Sequence, residues 1–241
     1  MKIVKMLFAA GAMLAGSLFA TEPLLSFPLN EGDLKAVKEA NGKVQVKFWN
    51  QDQFSWVDGP DGKALSFNTP DGLRKYAGVW FYMLKDFDPA KGFTFSAFIK
   101  TPEKMHRSRQ YELFHWSNNH SKGPGFRIYV SWCSLYIMFG DGKDGKKPVP
   151  LASKGSQGSL KDNTWYHLAA SYDGKAARIY IDGVLRGQVE GALVKSTRKW
   201  AAIGASSMAG FAYGFNGIIS KVQIFDKVLS DSEIAAMKPE K

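Results

Sequence analysis

One cysteine, Cys133, stands in a chain of 241 residues, so no internal disulfide can form. Its neighbours Trp132, Leu135 and Ile137 mark it as a small packed residue rather than a nucleophile. Beyond residue 20 no apolar run approaches the roughly 20 residues that a membrane helix needs. Histidine is scarce at four, His106, His115, His120 and His167, and their spacing matches no zinc pattern. No Glu-x-Asp-x-Glu strand occurs, so the usual sequence sign of a retaining glycosidase is missing.

What is present begins with a leader. Lys2 and Lys5 precede the small, apolar stretch Met6 to Ala20, and Thr21-Glu22-Pro23 ends it. The pattern reads as a secretory signal peptide over residues 1–20, followed by one domain over 21–241. It implies a secreted, periplasmic or extracellular location. The net charge of +10 falls to +8 once Lys2 and Lys5 leave with the leader. The basic residues are spread over several loops, and export argues against a nucleic-acid partner. Spread in this way the charge reads first as solubility, and the partner class it would fit is an anionic polysaccharide or an acidic surface.

The remaining chain has the periodicity of strands. Residues 43–48, 92–100, 125–132 and 177–181 alternate polar and apolar positions. In the third of these, Phe126, Ile128 and Val130 share one face, and Arg127, Tyr129 and Ser131 the other. Between the runs stand Asp58-Gly59, Asp61-Gly62, Asp71-Gly72, Asp141-Gly142, Asp173-Gly174 and Asp182-Gly183. Such pairs suit tight turns, because glycine takes positive φ freely and aspartate tolerates it. Together these features predict an all-β fold, a two-sheet antiparallel jelly-roll sandwich. Ser230 to Glu233 has the spacing of a capping box and predicts one short C-terminal helix.

Several segments, taken in order, resemble the laminin-G-like jelly-roll domain of the concanavalin A-like lectin/glucanase superfamily. They are Leu25 to Gly32, Gly62 to Phe67, Gly92 to Lys100, Leu160 to Gly174, Arg178 to Leu185, and Phe215 to Phe225 with Val228 to Ile234. The resemblance implies that Trp165 packs structurally, and His167 reads as a satisfied strand histidine. It also implies a structural calcium ion held by oxygens at the edges where Asn68 and Ser220 stand. Relatives often carry aspartate at both places, and calcium prefers carboxylates.

The superfamily includes polysaccharide hydrolases and lyases, and fold alone does not choose among functions. The acid-x-acid pairs here are Glu31/Asp33, Asp86/Asp88 and Asp231/Glu233. The first and second read as turn chemistry and the third as a helix cap. A lyase could use a His with a Tyr as base and acid, for example His115 and Tyr129. No catalytic residue is assigned. The segment from Phe114 to Lys122 and the strand after it are rich in aromatic, amide and guanidinium groups. The expected ligand-binding residues are therefore Trp116, Asn118, Asn119, His120, Arg127 and Tyr129. The function these residues imply is a non-catalytic module that binds carbohydrate. The alternatives are a polysaccharide-active enzyme and a protein-binding adhesion or structural domain.

Overall fold

A computed structural model describes residues 21–69, 76–106, 109–118, 124–140, 160–206 and 213–237. The leader, Asn119, His120, Asp71-Gly72 and Asp141-Gly142 lie outside the described residues. Among those described, fourteen strands form two antiparallel sheets. They are β1 Leu25–Phe27, β2 Val46–Trp49, β3 Phe54–Gly59, β4 Gly62–Phe67, β5 Gly78–Tyr82, β6 Phe93–Lys100 and β7 Tyr111–Ser117. Then come β8 Gly125–Ser131, β9 Ser134–Gly140, β10 Trp165–Tyr172, β11 Ala176–Ile181, β12 Val184–Glu190, β13 Trp200–Ile203 and β14 Gly217–Phe225. One helix, α1, spans Asp231–Ala236.

The first sheet has the order β12-β11-β10-β6-β14-β4-β3, with β1 added beside β14. The second has the order β2-β5-β13-β7-β8-β9. This is the jelly-roll sandwich that the alternation predicted. Period-2 patterning gives each sheet one apolar face, and the two faces can escape water only against each other. Phe93 of β6 stacks on Phe126 of β8 with centroids 4.2 Å apart, and Phe95 meets Phe114 at 5.6 Å. Burying each such side chain stabilises the fold by about 1.5–3 kcal/mol.

The turns follow the local chemistry. At Asp182-Gly183 both residues take positive φ, 51° and 75°, and Ile181 pairs directly with Val184. That is a two-residue hairpin in the mirror-image turn that matches strand twist. The β8–β9 hairpin closes with the same backbone over Trp132 and Cys133, at φ 49° and 54°. The sequence placed Cys133 inside a strand; it sits instead in this turn, half-buried and packed against the core.

The capping box at Ser230 is complete: its hydroxyl accepts from the Glu233 backbone, and Glu233 accepts from the Ser230 backbone. α1 lies on the outer face of the first sheet, where Ile234 and Leu229 pack on Ala169, Tyr180 and Phe225. Among the described residues no helix covers the outer face of the second sheet.

Candidate functional site

Register, rather than sequence proximity, assembles the outer face of the six-stranded sheet. Lys47 pairs with Trp80, Trp80 with Ala202, Ala202 with His115, His115 with Arg127, and Arg127 with Met138. These residues form one row across all six strands. The neighbouring rows bring Trp49 opposite Gly78, and Tyr82 opposite Trp200.

At the β2-β5-β13 end the face is aromatic. Tyr82 stacks on Trp200 with centroids 3.7 Å apart, Trp200 lies 6.5 Å from Trp80, and Trp80 lies 4.8 Å from Trp49. Trp49 and Tyr82 keep 43% and 48% of their surface exposed. Large aromatics are rarely left this open without a reason, and here two of them form the ends of one strip. Four residues of β5 separate the two ends, about 14 Å at roughly 3.4 Å per residue. Gly78 makes the strip possible. A Cβ there would come within 2.7 Å of the Trp80 indole nitrogen and 2.8 Å of the Ala205 methyl. The Trp80 N–H itself is sealed and has no hydrogen-bond partner.

At the β7-β8-β9 end the same face is polar but closed. Arg127 donates from Nε to Glu112 Oε1 at 3.0 Å, its Nη2 lies 2.9 Å from Glu112 Oε2, and Nη2 also donates to Gln110 at 2.6 Å. The guanidinium lies over the Tyr129 ring at 4.3 Å and near Tyr213 at 5.5 Å. Tyr129 in turn stacks on Tyr136 at 5.1 Å. Burial pushes the Glu112 carboxyl up to about 8, against the pull of the Arg127 guanidinium. Oε1 accepts from Arg127 Nε, while Oε2 lies 2.9 Å from Nη2 without a well-aligned hydrogen bond. Burial also drives the Tyr129 hydroxyl far above its ordinary range.

The expected binding residues divide accordingly. Arg127 and Tyr129 lie on the outer face, as the alternation predicted, but both are buried. Trp116 faces the core, because it occupies the inward phase of β7, and its expected ligand contact is corrected to packing. It stacks against Phe87 at 5.6 Å, and its indole N–H donates to the Arg198 carbonyl. The Asn118 side chain is committed to a neighbouring segment. Its Oδ1 accepts from Ser196 Oγ and the Thr197 backbone, and its Nδ2 donates to Thr197 Oγ1. Trp116 and Asn118 therefore fix residues 196–198, which lead directly into Trp200. Asn119 and His120 lie outside the described residues. His115 is fully buried on the same face, directly opposite Arg127 in the same row.

Sequence reasoning missed Trp49, Trp80, Tyr82, Trp200 and Glu112. Trp80 and Tyr82, two apart on a strand, were the available signal: they fall in the phase opposite Val79 and Phe81, so one face had to carry bare aromatics.

One member of each acid pair is in turn or cap chemistry, while both Glu31 oxygens are buried without a hydrogen-bond partner. Asp33 accepts from the Lys35 backbone, Asp88 from Ala90, and Glu233 closes the capping box. Asn68 Oδ1 already accepts from Ser66, its amide donates to Ser55, and Ser220 is a buried hydroxyl opposite Phe98. No group of three His, Cys, Asp or Glu side chains suited to a metal is found among the described residues. The donors at these two positions do not fit calcium, which wants several oxygens including carboxylates.

The chain belongs to the concanavalin A-like lectin/glucanases superfamily, whose family model matches residues 73–235. No curated protein sequence matches it. Similar solved structures include the binding domain of Paraclostridial Mosquitocidal Protein 1, with a TM-score of 0.65 and 15% identity, covering 89% of this chain and 51% of that one. The binding domain of botulinum neurotoxin DC, in complex with SialylT, gives a TM-score of 0.65 at 15% identity, covering 89% and 50%. The same domain in complex with rat synaptotagmin II gives 0.64 at 14%, covering 89% and 51%. At such identities the likeness is one of fold, and this chain spans about half the length of those domains.

Proposed function

We propose that this protein is an exported, non-catalytic module that binds carbohydrate on the outer face of its six-stranded sheet. The observation that carries the reading is the aromatic strip Trp49-Trp80-Trp200-Tyr82, open at both ends on a face that no described helix covers. Flat apolar rings suit the C–H faces of sugar rings, and a strip of this length suits a short oligosaccharide rather than a single unit. The similar domain found in complex with SialylT and with rat synaptotagmin II is compatible with a binding role for this fold.

The test is a polysaccharide pull-down and glycan array with the purified protein, alongside Trp49→Ala and Tyr82→Ala. Each substitution removes about 1–2 kcal/mol of contact and should weaken retention about tenfold. Release of soluble sugars would mean an enzyme. Retention unaffected by both substitutions would move the site elsewhere, and no retention on any glycan would favour a protein partner.

A further inference from the structure

The aromatic strip has one cation in its middle, and that cation has no acidic partner. Lys47 is exposed, stands in register with Trp80, and holds its Nζ 5.5 Å from the centre of the Trp200 ring. The ion pairs among the described residues are Lys63–Asp58, Arg127–Glu112 and Arg178–Asp173, and Lys47 enters none of them. The only carboxylate in the outward phase of the described strands of this sheet is Glu112. Arg127 already satisfies it, and both are sealed from water. Among the described strands of this sheet, the face therefore presents one uncompensated positive charge, carried on the edge strand β2 and reaching inward to the Trp200 ring.

An exposed lysine is usually just a solvated surface group. Here the ammonium stands 5.5 Å from the centre of the Trp200 ring, within cation–π reach of the strip. An anionic group on a ligand lying along β5 would meet that ammonium midway between the Trp49 and Tyr82 ends. Arg127 cannot take this role, because it is buried and paired with Glu112.

Resting on the carbohydrate reading above, we infer that the ligand is an acidic glycan, with a carboxylate or sulfate on the unit that passes over Trp80 and Trp200, and that Lys47 selects it. Carboxylate and sulfate share the chemistry Lys47 can read: a negative charge with acceptor oxygens that takes a charge-assisted hydrogen bond from the ammonium, stronger than a neutral one.

Matched polysaccharide pairs test this. Polygalacturonate against its methyl ester removes a carboxylate charge, and carrageenan against agarose removes a sulfate. The variants are Lys47→Met, which keeps the apolar stem, and Arg186→Gln, which makes the same change in net charge on the edge strand of the other sheet. Retention of either charged member over its neutral partner is expected. Lys47→Met should weaken that retention about tenfold and leave the weaker neutral binding alone, while Arg186→Gln should change neither. The pair that shows the preference tells carboxylate from sulfate. Equal retention of charged and neutral members would overturn the inference while leaving carbohydrate binding standing. So would a charge preference that Lys47→Met leaves intact, or one that both variants weaken equally, since that is net charge alone. Failure to retain any of the four, or any glycan on the array, would overturn the carbohydrate reading itself.

Discussion

Glu112 and Arg127 face each other across β7 and β8 in a two-pronged ion pair, 3.0 Å and 2.9 Å long, with 0% and 2% of their side chains exposed. The pair occupies the outer face of the same sheet that carries the aromatic strip. Removing one partner leaves a buried charge without its counter-ion, the costly case, whereas removing both leaves none. Glu112→Ala should therefore lower unfolding stability by about 3–5 kcal/mol. Glu112→Leu combined with Arg127→Met should cost much less. Denaturant titration of the three proteins checks the order, and a double variant worse than the single would contradict it.

His167 gives the fold an acid limit. Burial, with Lys221 nearby, lowers its pKa to about 4 from 6.5, and its Nε2 lies 2.8 Å from Ser96 Oγ inside the strand pair β10–β6. Because the folded value is depressed, the unfolded chain takes up the proton first as pH falls. Above pH 6.5 the residue is neutral in both states and stability is unaffected. Between 6.5 and about 4 its contribution is lost, to a total of about 3 kcal/mol. Comparing unfolding midpoints at pH 7 and pH 4 for the wild type and His167→Gln should show a smaller acid loss in the variant.

Asn118 is expected to act at a distance from any ligand. Asn118→Ala deletes the bracket on Ser196 and Thr197 and should cost about 1–3 kcal/mol of stability. It should also weaken glycan retention, because residues 196–198 set the position of Trp200. Unchanged retention in a variant that melts earlier would separate the bracket from the strip.

Gly78→Ala is the sharper probe of the strip. Its new methyl meets the Trp80 indole and Ala205, so the ring must shift. The expected result is loss of glycan retention with a folded, slightly less stable protein, about 1–3 kcal/mol down. Near-ultraviolet circular dichroism, which reads the packing of the indoles, should change alongside.

Much of this architecture could be read in the residues. The alternation at Phe126, Arg127, Ile128 and Tyr129 placed each side chain on the face it occupies, and Ser230 and Glu233 announced the cap. The family motifs supplied the sandwich. The site was harder, because aromatic richness in one stretch does not say which phase of a strand the ring occupies relative to the core. Trp116 fell in the inward phase of β7, and Arg127 met a carboxylate 15 residues away that its own neighbourhood did not reveal. Trp49, Trp80 and Trp200 meet only because β5 lies between β2 and β13, a relationship of strand order that no local pattern encodes.

That strand order also sets when the recognition surface comes into being. Its indoles come from chain positions 49, 80 and 200, so the surface requires closure of a segment of more than a hundred residues between β5 and β13. Closing so long a loop is entropically costly and comes late in a fold rich in distant pairings. A chain trapped with its β10–β11–β12 hairpins formed but β13 undocked would be strand-rich yet blind to ligand. Ligand capture is thus a more stringent report of complete maturation than secondary-structure content.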